Sequence, residues 1–310
     1  MATIAAKGEG EGEGSNECSK VPPVDDQIHV PASLPLLEAN QDKDQQLEVL
    51  YRTVPRRLMD VFSVRFVKFD KQALSQMYGC MMIGSFPTYV LYCRKHGEPL
   101  NVHPNGLVMV RDPDEVIQPS DCVGFYSCLF RYQAGADQFK DIKSKLLWNR
   151  VCEDFDTLLC RRVRCQFGKL KVKYAVYECG VTAHVDVTLT ACRFPSASVH
   201  GWIIAHNSKI GEAGKSFLFK RGHSEGISIG VSHCEERIAQ LPLARCKIAV
   251  PVDSSFTIVV NIWQCSAIDT LDQLIAENKD FKFDARLSGQ DVKTFRGEAC
   301  HINVGVTWSR

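Results

Sequence analysis

Between Gly168 and Cys192 the chain keeps a two-residue rhythm for longer than anywhere else. Val181, Ala183, Val185, Val187, Leu189 and Ala191 are apolar, while Thr182, His184, Asp186, Thr188 and Thr190 take the alternate places, as in a strand with one buried face. Upstream, Leu170, Val172, Tyr174 and Val176 alternate with Lys169, Lys171, Lys173 and Ala175, and Gly180 marks the join of two strands as a turn or bulge. Shorter runs of the same kind flank this stretch. FSVRFVKFD, YGCMMIG, PTYVLYCR, GLVMV and GFYSCLFRY precede it, and GWIIA, SFLFK, GISIGV, CKIAVPV, FTIVVNIW, FKFDARL and CHINVGVTW follow, separated by glycine, proline and polar breaks. Such spacing, with little helix between the runs, argues for antiparallel strands in a sandwich or barrel and against a parallel α/β sheet.

The pattern predicts five regions. Residues 1–40 hold GEGEGEG and four prolines with few large apolar groups, so ordering them costs more entropy than burial returns, and a disordered acidic, glycine-rich tail is expected. Leu47, Leu50, Tyr51, Val54 and Leu58 recur at helical spacing around Pro55 and predict a short helical lead-in over 41–60. A first β-unit follows over 61–135. Residues 136–166 mix leucines with many charges and read as a connector with some helix, and a second β-unit fills 167–310. The fold class is therefore mainly β, with two sandwich-like halves of antiparallel strands. The order FSVRFVKF, Tyr78-Gly79, YVLYCR, GLVMV resembles VDVTLTAC, His200-Gly201, SFLFKR, GISIGV, which raises a duplication of the two units.

Composition narrows the partners little. A net charge of +1 gives no global reason to expect nucleic acid or an anionic membrane. No apolar run reaches the roughly 18–20 residues of a spanning helix. The opening MATIAAKGEGEGEG lacks the apolar core of a secretory signal, so the 14 cysteines read as reduced thiols in a cytoplasmic or nuclear protein, set singly along the strands as small hydrophobes.

The central stretch, the Tyr78-Gly79 segment with its trailing YVLYCRKHGEP, LARCKIAVPVDSSFTIVVNIW and the closing INVGVTW together resemble an uncharacterised plant domain family. That family is expanded in grasses and occurs alone or attached to ribosome-inactivating (rRNA N-glycosidase) domains. The resemblance covers roughly residues 48–310 and rests on strand patterns and single glycines, so it bears on fold more than on chemistry. It implies a plant protein associated with stress or defence, and it brings no catalytic residues to carry over.

Motifs that would name a chemistry are poor. GEAGKS (Gly211–Ser216) ends like a phosphate-binding loop, but Lys209 stands where the first glycine belongs and SFLFK reads as a strand rather than the helix such a loop requires, so a hairpin turn is expected. There is no C-x-x-C pair, and His200/His206 and His223/His233-Cys234 match no standard zinc spacing. An rRNA N-glycosidase needs a glutamate and an arginine one helical turn apart. Glu235-Glu236-Arg237 sets its charges side by side, with Leu241-Pro242 close behind, so that activity is not expected.

One region is concentrated in charge. Arg161, Arg162, Arg164, Lys169, Lys171 and Lys173 surround Phe167 and Tyr174, a composition that suits a phosphate backbone with bases stacked on the rings, and equally suits a solvated sheet edge. The leading expectation is a non-enzymatic interaction module with a protein partner and with neither cofactor nor metal. The alternative is an RNA-binding or defence-related enzymatic role using residues 161–173.

Overall fold

The alternation becomes strand wherever it occurs in the residues that the structure, a computed structural model, describes: 56–69, 75–84, 88–102, 106–108, 116–119, 122–131, 143–149, 154–165, 168–190, 196–230, 238–266, 272–297 and 300–310. The first half of the chain supplies β1 (Arg56–Phe69), β2 (Ser75–Gly84), β3 (Thr88–Arg94), β4 (Leu100–Val102), β5 (Leu107–Val108), β6 (Cys122–Arg131), β7 (Lys143–Asn149) and β8 (Leu159–Cys165). Then comes the long β9 (Gly168–Thr190). The second half supplies β10 (Ser196–Asn207), β11 (Ser216–Arg221), β12 (Ile227–Gly230), β13 (Ile238–Gln240), β14 (Lys247–Pro251), β15 (Ser255–Ser266), β16 (Asp272–Asp284), β17 (Gly289–Arg296) and β18 (His301–Ser309).

These strands form three antiparallel sheets. The largest runs β17-β18-β9-β1-β5, with β8, β13 and β14 also paired to β9; the others run β3-β2-β6-β7, with β4 on β2, and β11-β10-β15-β16, with β12 on β10. β9 is one continuous strand that serves two cores. Leu170, Val172, Tyr174 and Val176 pack with the β2/β6 sheet, and Val181 to Leu189 pack with the β10/β15 sheet. The buried positions change from even to odd at a bulge near Gly180. There Arg56 faces Gly180 while Leu58 faces Tyr177, so two residues of β9, Glu178 and Cys179, oppose one of β1. Tyr174 to Tyr177 are all 0% exposed because elements of the second half cover the face that the first core leaves open.

The two sandwiches repeat one topology. β1, β2, β3, β4, β6 and β7 correspond in order and pairing to the second part of β9 and to β10, β11, β12, β15 and β16. Gly79 and Gly201 occupy matching points. Both have positive φ (111° and 123°), each stands opposite an arginine on one side (Arg94, Arg221), and each packs on the backbone of the other neighbour. The preceding residues repeat as well, since Tyr78 meets His96 edge-on at 4.9 Å and His200 meets His223 edge-on at 5.0 Å.

Two expectations of helix give way to strand. Of the lead-in over 41–60, residues 56–60 belong to β1, because pairing with β9 and burial of Leu58 and Met59 outweigh the local spacing; residues 41–55, like the tail over 1–40, lie outside the described residues. The described part of 136–166 contains β7 and β8, which complete the edges of two sheets, and no helix.

A buried polar network joins the halves. The Arg245 guanidinium, before β14, donates from Nη2 to Asp60 Oδ1 on β1, from Nη1 to Val61 O (2.7 Å) and Ser216 Oγ (3.4 Å), and from Nε to Lys247 O (3.2 Å). Beside it Asn207 Nδ2 donates to the Tyr177 hydroxyl at 2.7 Å. At the surface Lys209 pairs with Asp156 (3.0 Å) and Asp253 (2.8 Å).

Burial raises three phenols. Tyr92, which donates to Met77 O at 3.2 Å, and Tyr174, which donates to Leu147 O, are both pushed up to about 12, and Tyr177 rises well above its ordinary value. Unfolding frees these groups to ionise near pH 10, the usual tyrosine value, so the stability they hold is complete below about pH 10 and is lost as pH rises through about 12. A phenolate absorbance titration followed by circular dichroism should show late-ionising tyrosines that appear only with unfolding. Ionisation of all eight tyrosines near pH 10 in a still-folded protein would contradict this.

Candidate functional site

The β8–β9 hairpin lays out the cations singled out in the sequence. Arg162 stands opposite Lys171 and Arg164 opposite Lys169, and on the other side of β9 Lys171 stands opposite Arg65 of β1. Arg162, Lys171 and Arg65 therefore form one row across three adjacent strands spaced about 4.8 Å apart. Val64, Phe66, Val163, Leu170 and Val172, on the alternate positions, are at most 1% exposed, so the period of the strands turns the charged set to the outer face. Lys145 of β7 donates from Nζ to Arg162 O (2.9 Å), and with Arg162, Arg164 and Lys169 it lines a groove of about 280 Å³.

Like charges directly opposite one another destabilise a sheet. Among the described residues no carboxylate lies within ion-pair distance of Arg65, Arg162, Arg164, Lys169 or Lys171. Edge protection accounts for charges on β8, but β9 and β1 are interior strands here, so it does not account for Lys171 and Arg65.

The remaining residues of the basic region do not join this row. Arg161 lies on the opposite phase, with Nε donating to Leu147 O (3.4 Å), and Lys173 reaches Ala213 O (3.4 Å) in the second half. Tyr174 is fully buried in the first core, so its ring is no platform for a base. Phe167 lies outside the described residues. Sequence reasoning did not pick out Arg65 and Lys145; the outward phase of Arg65 between Val64 and Phe66 is legible, but its alignment with Lys171 is a matter of register.

The other motifs find structural places. Gly211–Gly214 is a 3-10 turn joining β10 to its antiparallel neighbour β11, which Ser216 opens, so no helix N-terminus stands there for a phosphate. Lys215 instead pairs with Glu212 at 3.1 Å. Glu235-Glu236-Arg237 and His233-Cys234 lie outside the described residues.

Fold and face together define a tandem β-sandwich protein with a shared strand and a cationic sheet face on its first sandwich. The chain belongs to the DUF6598 family, a domain of unknown function, whose profile matches residues 58–306. No curated protein matches it. Among solved structures it is similar to human GIVD cytosolic phospholipase A2 (7% identity, 82% of this chain and 32% of that one, TM-score 0.24). It is also similar to the C2A- and C2B-domains of extended-synaptotagmin 2 (9% identity, 94% of this chain and 98% of that one, TM-score 0.25). The chain thus spans about a third of the phospholipase's length.

Proposed function

We propose that this protein is a non-enzymatic interaction module that engages a nucleic-acid phosphate backbone through the outer face of β1, β8 and β9. The observation that carries the reading is the row Arg162, Lys171, Arg65, which costs the sheet stability through like-charge repulsion and has no carboxylate in ion-pair distance among the described residues. Cations on alternate positions of one strand are about 6.6 Å apart, and neutralising phosphates with them releases counterions, which is the main source of sequence-independent affinity. With Tyr174 in the core, its ring does not stack on a base, and the reading rests on charge. A plant origin, a setting in stress or defence and a cytoplasmic or nuclear location belong to this proposal. So does a protein partner that such a module would bring to the nucleic acid.

Titration of a single-stranded RNA against the protein at several salt concentrations tests it. Affinity should fall linearly on logarithmic axes, and Arg162→Ala or Lys171→Ala should weaken binding and make the slope shallower by about 0.7 for each phosphate no longer neutralised. Lys220→Ala, at an exposed position of β11, serves as the control and should change neither. An RNA affinity indifferent to the Arg162 and Lys171 changes would remove the proposal, and capture of an acidic protein by the same face would replace it.

A further inference from the structure

Three cysteines far apart in the sequence fall side by side in the first sandwich. Cys80 of β2 stands directly opposite Cys93 of β3 on one edge and directly opposite Cys128 of β6 on the other. Residues opposite one another on neighbouring strands share a face, with Cβ atoms about 4.5–5.5 Å apart. Here it is the outer face. Met81 and Leu129, next along the strands, are buried in the first core, whereas Cys93 is exposed and Cys80 and Cys128 are half-buried. The sulfurs thus form a row across three strands, all as free thiols, and β3 at one end is an edge strand along the β3-β2-β6-β7 path. Burial, then Cys128 and then Cys93, push the Cys80 thiol above its ordinary value. The row does not have the convergent geometry of a metal site. In the register of the described strands, no other cysteine faces a second one.

We propose that Cys93, Cys80 and Cys128 form a thiol oxidation site, at which a peroxide oxidises the exposed Cys93 and Cys80 closes the product into a cross-strand disulfide, with Cys128 as the alternate partner. The Cys93 thiolate attacks one peroxide oxygen; an S–O bond forms, the O–O bond breaks, and with one proton hydrogen peroxide leaves as water. The resulting sulfenic acid is attacked by the Cys80 thiolate; an S–S bond forms, the S–O bond breaks, and the departing hydroxide takes a proton to become the second water. Two thiols and one hydrogen peroxide give one disulfide and two waters, with two electrons passing from the sulfurs to the peroxide. Opposite residues of an antiparallel pair have Cα atoms about 4.5–5.5 Å apart, within the 4.4–6.8 Å that a disulfide spans. Cys128 can then attack the Cys80 sulfur and release the Cys93 thiolate, an exchange that needs no further oxidant. Attack requires thiolate, and Cys80 ionises reluctantly, so closure speeds up as pH rises.

The test treats the reduced full chain with hydrogen peroxide and maps its cysteines by mass spectrometry before and after dithiothreitol. The expected product is a reducible link of Cys80 to Cys93 or to Cys128, formed ahead of any link involving the exposed Cys160 or Cys179. Cys80→Ser should lose every link within the row and accumulate a Cys93 sulfenic acid that dimedone traps. Cys93→Ser, which changes only an exposed position of the edge strand, removes the group that peroxide oxidises and should leave Cys80 and Cys128 reduced, so it keeps the proposal testable if Cys80→Ser does not fold; a Cys80–Cys128 link formed as fast in its absence would overturn the role of Cys93. Links distributed without preference over the exposed cysteines, or wild-type Cys93 that stops at the sulfenic acid, would overturn it.

Discussion

Replacing Arg245 by leucine is expected to destabilise the folded protein by about 3–5 kcal/mol, the usual cost of removing one partner from a buried ion pair. The side chains of Arg245 and Asp60 are 5% and 1% exposed, and the guanidinium also serves Val61 O, Ser216 Oγ and Lys247 O. The leucine variant takes the cation from a buried Asp60 carboxylate and removes one donor from each of those acceptors, which is why the cost exceeds that of an ordinary hydrogen bond. Chemical denaturation should show the midpoint falling at an unchanged slope, or, if the sandwiches unfold in sequence, a shift of the first transition. The double variant Asp60→Leu/Arg245→Leu should recover a large part of the loss, because exchanging both members of a buried pair for apolar groups is often neutral. A single-variant cost below about 1 kcal/mol would mean that water reaches the pair and that the network does not hold the halves together.

The second large effect falls on Gly79 and Gly201. A Cβ at Gly79 would stand 2.1 Å from Cys128 O, and one at Gly201 would stand 2.3 Å from Asn261 O. Both obstacles are backbone of a central neighbouring strand, so neither can swing aside, and the positive φ at each position adds strain for any side chain. Alanine at either site should therefore cost about 3–5 kcal/mol, combining backbone strain with overpacking. Gly222→Ala is the comparison, since φ there is −71° and nothing lies within 4 Å of its added Cβ; it should stay within about 0.5 kcal/mol. Near-equal losses at 79 and 201 are what a repeated architecture requires. A tolerated alanine at one of them would show that the two sandwiches do not rely on that close approach alike.

How far these features are legible in the sequence depends on what covers each strand. Along 181–190 one face is wet, and the alternation names the buried residues correctly from Val181 to Leu189. Where the second half covers the outer face, the rhythm disappears: Leu58 to Val64 are buried without a break, and so are Tyr174 to Tyr177. β7 and β8 escape sequence reasoning for a related reason, as paired leucines such as Leu146-Leu147 and Leu158-Leu159 fit neither period. Tyr174 is a different case. Its phase already groups it with Leu170, Val172 and Val176, and the ring's chemistry draws it into a surface set that its position excludes.

By itself the sequence determined the β class, the inward phase of most strands and the outward phase of Arg162, Arg164, Lys169 and Lys171, because side-chain alternation is local and hydrophobicity encodes it directly. Only the tertiary structure decided which outward residues meet. Arg65 reaches Lys171, Cys80 reaches both Cys93 and Cys128, and Asp60 reaches Arg245 through register between distant strands. Register depends on the simultaneous burial of many residues and moves by one at each bulge, as at Gly180, so no local pattern contains it.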